Sequence, residues 1–200
     1  MTSRLFCIIF FVVFAAHLSF SAPEIGKPAP DFSLPDAQGR LRSLKDYSGE
    51  WIVLEWTNYD CPFVKKFYES GEMQKLQKEC EDKGVEWISI CSSAVGKQGY
   101  FTTAELQDRI EEHDVSISAY LVDEKGVVGR LYDAKTTPQM FVINPEGMLI
   151  YTGAIDSIPS TDQKDIPKAM NFVRAALENA MAGNPVLHSE TKPYGCSVKY

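Results

Sequence analysis

Cys61 is the residue of this chain best placed for covalent chemistry. It lies within Trp51-Ile-Val-Leu-Glu-Trp-Thr-Asn-Tyr-Asp-Cys61-Pro-Phe-Val-Lys-Lys-Phe-Tyr68, after a short polar turn and directly before Pro62. A proline at the first position of a helix loses nothing, because its absent N–H would be an orphan there. The sulfur is therefore predicted at the mouth of a helix, facing unpaired backbone N–H groups and the positive end of the macrodipole. Such a setting lowers a thiol pKa and yields a thiolate near neutral pH. Lys65, one turn in, adds to the effect, and Asp60, directly before, opposes it. The chemistry open to such a thiolate is attack on a disulfide sulfur.

Other reactive side chains carry weaker signals. Cys7 lies inside an apolar leader, which leaves Cys61, Cys80, Cys91 and Cys196 beyond it. An even number permits disulfides in an exported protein, while Cys80 and Cys91 also suit buried apolar positions. Glu55 stands in the strand that leads to Cys61. A carboxyl group buried near a thiol can move protons during exchange; strand polarity could equally turn it to solvent. His113 ends a helical stretch, where a surface cation suits the dipole. No cluster has zinc spacing, and Glu79 to Asp82 and Glu111-Glu112 read as solvated faces. The formal charge of −7 lacks the basic footprint of a nucleic-acid binder. Neither a nucleic-acid partner, a metal nor a cofactor is expected.

The elements that must position these residues can be read in order. Arg4, the apolar run Leu5 to Ala16, and small residues at Ser19 and Ser21 read as a cleavable secretory signal over residues 1–21. The alternative is an uncleaved anchor, for which the run is short. An exported protein, periplasmic or extracellular, follows, touching a membrane only through this segment if it is retained. Residues 22–183 form the expected domain, and 184–200, without periodicity, a tail. Trp51 to Leu54 is a continuous apolar run, as in a strand buried on both faces. A helical pattern follows to about Asp82, with Gly71 a candidate kink. Val85 to Ile90 alternates as the next strand, completing a βαβ unit. Thr102-Thr-Ala-Glu105 has capping-box spacing for a helix through about His113. Ala119 to Val122 reads as a short strand and Gly126 to Leu131 as a short helix. Pro138 to Ile143, the turn Asn144-Pro-Glu-Gly147, and Met148 to Gly153 read as an antiparallel hairpin. Gln163 to Met181 reads as a last helix. The sum is an α/β sandwich.

Three groups of residues resemble a known family. Gly26-Lys-Pro-Ala-Pro-Asp-Phe-Ser-Leu, with Asp36 and Gly39 after it, resembles the start of peroxiredoxins and thiol-specific antioxidant proteins. The strand–turn–Cys61-Pro–helix arrangement resembles the thioredoxin active-site segment. Thr137-Pro138 before a strand, a turn and a second strand resembles the thioredoxin loop whose proline is cis. Asn58-Tyr-Asp-Cys61-Pro-Phe-Val64-Lys and the ending Pro193-Tyr-Gly-Cys-Ser-Val-Lys-Tyr200 are similar to those of peroxiredoxin-like, or redoxin-domain, thioredoxin family proteins. The resemblance spans residues 24–182. It implies a thioredoxin-like fold, with a central mixed β-sheet flanked by helices on both faces. It also implies an exported thiol–disulfide oxidoreductase or antioxidant protein, acting on protein or small-molecule thiols and disulfides. Cys61, Thr137 and Pro138 would form its site, with Trp56, Tyr59 and Phe63 either a rim for the partner or core. Alternatives are a catalytically idle peptide-binding module and a peroxidase with an unusual cysteine.

The departures from the family are specific. Val64 stands where a thioredoxin has its second cysteine, so the paired-thiol reaction cannot close locally. Asn58 and Leu54 stand where a peroxiredoxin has its threonine or serine and its proline. A lone cysteine needs a second thiol to release its partner, and Cys196 in the tail is the candidate. A Cys61–Cys196 link could also be purely structural, worth about 4–5 kcal/mol by chain entropy. A structural bridge from Cys196 to Cys80 or Cys91 is the third option.

Overall fold

An antiparallel pair, β1 (Ser33–Pro35) and β2 (Leu41–Ser43), opens the chain in the computed structural model, which describes residues 22–200. The expected signal segment lies outside the described residues. Asp36 pins the turn between the two strands: its carboxylate accepts the N–H groups of Gln38 and Arg40 and meets the Arg40 and Arg42 guanidinium groups at 3.0 Å. A 3-10 turn over Leu44–Tyr47, capped by Ser43, leads to β3 (Trp51–Trp56).

Next come α1 (Pro62–Glu69), α2 (Glu72–Glu81), β4 (Val85–Cys91), α3 (Thr103–Glu112), β5 (Ala119–Val122) and α4 (Val127–Leu131). The remainder is β6 (Thr136–Thr137), β7 (Gln139–Ile143), β8 (Leu149–Gly153), α5 (Phe172–Met181) and β9 (Cys196–Ser197). The main sheet has five strands in the order β5-β4-β3-β7-β8. β3 is its middle strand, parallel to β4 and antiparallel to β7. That position explains the unbroken apolar run: both faces of β3 are covered, and alternate residues serve different cores. Val53 packs with Val64, Phe67, Leu76 and Val173 of α1, α2 and α5. Ile52, Leu54 and Trp56 pack with Leu34, Val128 and Tyr132 on the other side.

The hairpin, the capping box at Thr102 and the strand at β5 stand where the residues placed them. Two helical patterns are interrupted. The helix after Cys61 is broken at Gly71, whose φ of +76° no side-chain-bearing residue adopts cheaply, so α1 and α2 are separate helices. The pattern from Gln163 splits into a 3-10 turn over Gln163–Lys168, containing Pro167, and then α5. Pro167 supplies no N–H to an α-helical ladder. Asn171 starts α5 afresh, its side chain accepting the Arg174 N–H at 2.9 Å.

The segment after Gly183 is the largest difference from expectation. It is a strap along the body, made without periodicity because its backbone bonds go to several segments remote in sequence. Ser189 and Thr191 bond with Thr152 of β8 at 3.0 Å, and the Thr191 hydroxyl accepts the Ala154 N–H at 3.0 Å. β9 then pairs antiparallel with β6, Thr137 opposite Cys196 and Thr136 opposite Ser197. At the opposite edge of the sheet, the Ala37 N–H bonds to the Tyr120 carbonyl at 2.9 Å.

Candidate functional site

Cys61 is the N-cap residue of α1, with Pro62 at the first helical position. Its sulfur donates to the Thr137 carbonyl at 3.1 Å, and the Thr137–Pro138 peptide bond is cis. The Cys196 thiol lies within hydrogen-bonding reach of the same sulfur. Central strand, helix α1, the β6–β7 junction and the strap thus converge on one point. The structure brings together Cys61, Thr137, Pro138 and Cys196.

The two thiols are not equivalent. Burial opposes ionisation of Cys61, but the Cys196 and Thr137 side chains and the backbone N–H groups of Val64 and Cys196 favour it and hold its pKa below the ordinary thiol value. The Thr137 hydroxyl is buried with no other partner, so it is free to turn toward an ionised sulfur. Cys196 goes the other way: burial, then the neighbouring Cys61, push it up to about 11 against the pull of Lys199. Asp60, expected to oppose the thiolate, sits 3.6 Å from the Arg109 guanidinium, which offsets its charge. A site-resolved alkylation series against pH should therefore modify Cys61 before Cys196, with a Cys61 midpoint below the free-thiol value of about 8.5. A midpoint at or above that value would contradict this ionisation order.

The surroundings decide the open alternatives for Trp56, Tyr59, Phe63 and Glu55 and correct the expectation for His113. Cys61 is not open to solvent: it is fully buried in this dithiol state, beneath β9. Trp56 and Tyr59 are core, not rim. Trp56 donates to the Ser92 hydroxyl at 3.0 Å, and Tyr59 packs on Tyr68 and His113 at ring distances of 5.0 and 4.4 Å. Phe63 is only partly buried and meets Tyr194 edge-on at 5.8 Å. His113 is no surface cation. Its Nε2 is buried without a partner, and burial lowers its pKa. Glu55 faces inward, accepting from Tyr68, Trp87 and Ser89 at 2.9–3.1 Å. Burial raises its pKa against those donors, and none of its hydrogen-bond partners is Cys61.

Cys80 and Cys91 are buried thiols, as apolar side chains would be. Burial raises both, Cys80 to about 12, and Cys91 donates to the Gly99 carbonyl at 3.3 Å. Neither bridges to Cys196, and Cys61, Cys80, Cys91 and Cys196 are all free thiols. No group of His, Cys, Asp and Glu suited to a metal occurs among the described residues.

Four residues that anchor the site went unnoticed in the sequence. Lys66 of α1 is wholly buried and pairs with buried Asp156 at 3.1 Å. Asp156 also accepts the hydroxyl of Tyr194 in the strap. Tyr200, the last residue, donates to the Ala134 carbonyl at 2.7 Å and lies under the Arg130 guanidinium, 4.3 Å away. The available signal was helical spacing: Lys66 falls three positions after Phe63 and next to Phe67, at the edge of the apolar face.

Comparison with known proteins bears on the fold and the family. The thiol-disulfide oxidoreductase ResA of Bacillus thuringiensis subsp. konkukian is 27% identical over 127 residues, covering 64% of this chain and 68% of that protein. The crystal structure of a hypothetical protein from Sinorhizobium meliloti 1021 superposes with a TM-score of 0.75 at 24% identity, over 90% of this chain and 96% of that one. The thioredoxin domain of a thiol-disulfide oxidoreductase from Bacteroides vulgatus gives a TM-score of 0.52 at 18% identity, over 74% of this chain and 97% of that one. The fold is thioredoxin-like, as the residues around Cys61 and Pro138 implied. Residues 25–152 match the AhpC/TSA family. With that match spanning more than half its length, the chain is a thioredoxin-like, peroxiredoxin-like member of the AhpC/TSA family.

Proposed function

We propose that this chain is an exported thiol–disulfide oxidoreductase in which Cys61 attacks and Cys196 resolves. Residues 1–21 would direct export and be removed, leaving the domain 22–183 and the strap 184–200. Proteins or small molecules bearing thiols and disulfides are its partners. The observation that carries the reading is the pair of unlike thiols beside the Thr137 carbonyl, one inclined to ionise and the other to keep its proton. The relative named thiol-disulfide oxidoreductase ResA supports it.

In the reducing direction, the Cys61 thiolate attacks one sulfur of a substrate disulfide. A Cys61–substrate disulfide forms, and the other substrate sulfur leaves as a thiolate. Cys196 then gives up its proton and attacks the Cys61 sulfur. The second substrate thiolate departs, and Cys61 and Cys196 are joined. The pair loses two electrons and the substrate gains them; a dithiol donor reverses the change. Conversion of Cys61 to a neutral mixed disulfide removes the charge that holds the Cys196 proton in place, which favours the second step.

Oxidation of the protein followed by non-reducing peptide mapping tests this. The expected product is a Cys61–Cys196 disulfide that dithiothreitol reopens, with Cys80 and Cys91 still free. Cys196 left free, or joined elsewhere, would overturn the assignment.

A further inference from the structure

Cys61 is buried beneath β9, so a substrate sulfur reaches it only when that end of the strap lifts. Cys196 lifts with it and must come back for the second attack. How readily it returns depends on where the strap stays attached upstream. The nearest side-chain anchor is Tyr194, two positions before Cys196, whose hydroxyl donates to the Asp156 Oδ1. Two residues of extended chain span about 7 Å, so with this bond intact Cys196 stays close to the Cys61 sulfur. With it broken, the next hold is Thr191, which bonds to the Thr152 carbonyl and the Ala154 N–H, both at 3.0 Å. The free length then rises from two residues to five, about 17 Å. The local concentration of a group on a flexible tether falls steeply with tether length.

The acceptor of that bond is itself fixed. Asp156 is buried and bridged through its backbone to Asn171 at the start of α5. Its Oδ1 also takes the Ile158 N–H at 3.0 Å, and its Oδ2 meets the Lys66 ammonium at 3.1 Å. Lys66 stands on α1, the helix that Cys61 caps, and the Phe63 ring of the same helix packs edge-on against Tyr194. The attacking sulfur and the foothold of the resolving thiol are thus held by one helix, at one spacing. A buried ion pair adds little net stability over apolar residues. What this pair supplies is a charged acceptor, to which hydrogen bonds are roughly twice as strong as to a neutral one. We infer that Lys66, Asp156 and Tyr194 are positioning residues for the resolving step, keeping Cys196 within reach of Cys61 while substrate is attached to it. The inference rests on the redox reading of the two thiols and adds which residues set the speed of the second attack.

The symmetrical thionitrobenzoate disulfide shows the two attacks separately on the full chain. Cys61 attacks one reagent sulfur and is left in a mixed disulfide, while the first coloured thionitrobenzoate leaves with the electron pair. This phase speeds up with reagent concentration. Cys196 then loses its proton, attacks the Cys61 sulfur and expels the second thionitrobenzoate, in a phase independent of concentration. Tyr194→Phe keeps the ring and removes the hydroxyl. Its second phase should be about fourfold to tenfold slower, with the first phase no slower than in the unaltered chain. Tyr200→Phe removes a hydroxyl bond at the far end of the strap and should slow the second phase much less. Lys66→Met with Asp156→Leu removes both buried charges together and should be as slow as Tyr194→Phe, because the hydroxyl has lost its acceptor. Lys66→Met with Asp156→Asn keeps an oxygen for the hydroxyl and should return to within about twofold of the unaltered chain. An unchanged second phase in Tyr194→Phe, equal slowing in Tyr200→Phe, or equal rates in the leucine and asparagine variants would overturn the proposal. The two readings fail differently. A concentration-independent second phase that Tyr194→Phe shares in full leaves the redox reading standing without these residues. Its absence from the unaltered chain removes the redox reading and the proposal with it.

Discussion

Cys61→Ser and Cys196→Ser should each reduce disulfide turnover by about a thousandfold or more, because nucleophile and resolving thiol act as one unit. They should fail at different steps. Without Cys61 no substrate sulfur is attacked, and the protein stays unmodified after mixing with substrate. Without Cys196 the first attack proceeds and the second cannot. The substrate then remains attached to Cys61, visible as a mass increase that dithiothreitol removes. A serine differs from cysteine by one atom, so the thermal midpoint should move little in either variant. Equal turnover in Cys196→Ser and the unaltered chain would assign resolution to an external thiol. Covalent substrate on Cys61→Ser would assign attack to another cysteine, against the buried, raised pKa values of Cys80 and Cys91.

Lys66→Met should destabilise the protein by about 3–5 kcal/mol, measured by denaturant unfolding. The side chain is wholly buried, and its ammonium group has the Asp156 carboxylate at 3.1 Å and the Ile158 carbonyl at 3.3 Å. Removing it leaves a buried carboxylate whose remaining donors are the Tyr194 hydroxyl and the Ile158 N–H. Methionine keeps most of the volume, so the loss reads the orphaned charge more than a cavity. The double variant Lys66→Met with Asp156→Leu should recover much of that loss, since a buried ion pair replaced by apolar groups is often neutral or stabilising. A loss below about 1 kcal/mol in the single variant, as for an exposed pair, would show that the pair does not hold the fold.

What could be read in advance was what depends on near neighbours. The Thr102 capping box, the Asn144–Gly147 turn and the apolar run of β3 each complete themselves within a few residues, and each stands as expected. The place of Cys61 at the mouth of a helix belongs with them, since Pro62 and the strand before it suffice to fix it. Glu55 was only half legible: the residues alone allow it to face inward or toward solvent, and the choice follows once both faces of β3 are seen to be covered. The strap was not legible, because its partners are remote in sequence. The approach of Cys196 to Cys61 could be anticipated from chemistry, the need for a second thiol, but not the contacts that bring it there: Tyr200 closes on Ala134, Tyr194 on Asp156, and β9 on Thr136 and Thr137. None of these pairings leaves a period in the sequence, and the burial of Cys61 depends on the last of them. Lys66 lies between the two cases. Its position on α1 was visible, but its need for a buried anion was visible only once Asp156 stood beside it.

The strap and the first turn also settle how this sheet ends. Thr152 of β8 is bonded by Ser189 and Thr191, and Tyr120 of β5 by Ala37, so segments of the same chain shield both outer rims. Bare rims are templates on which neighbouring molecules assemble into fibrils and insoluble clumps. With its own flanking segments laid along both edges, the sheet offers a neighbouring molecule less bare strand to pair with.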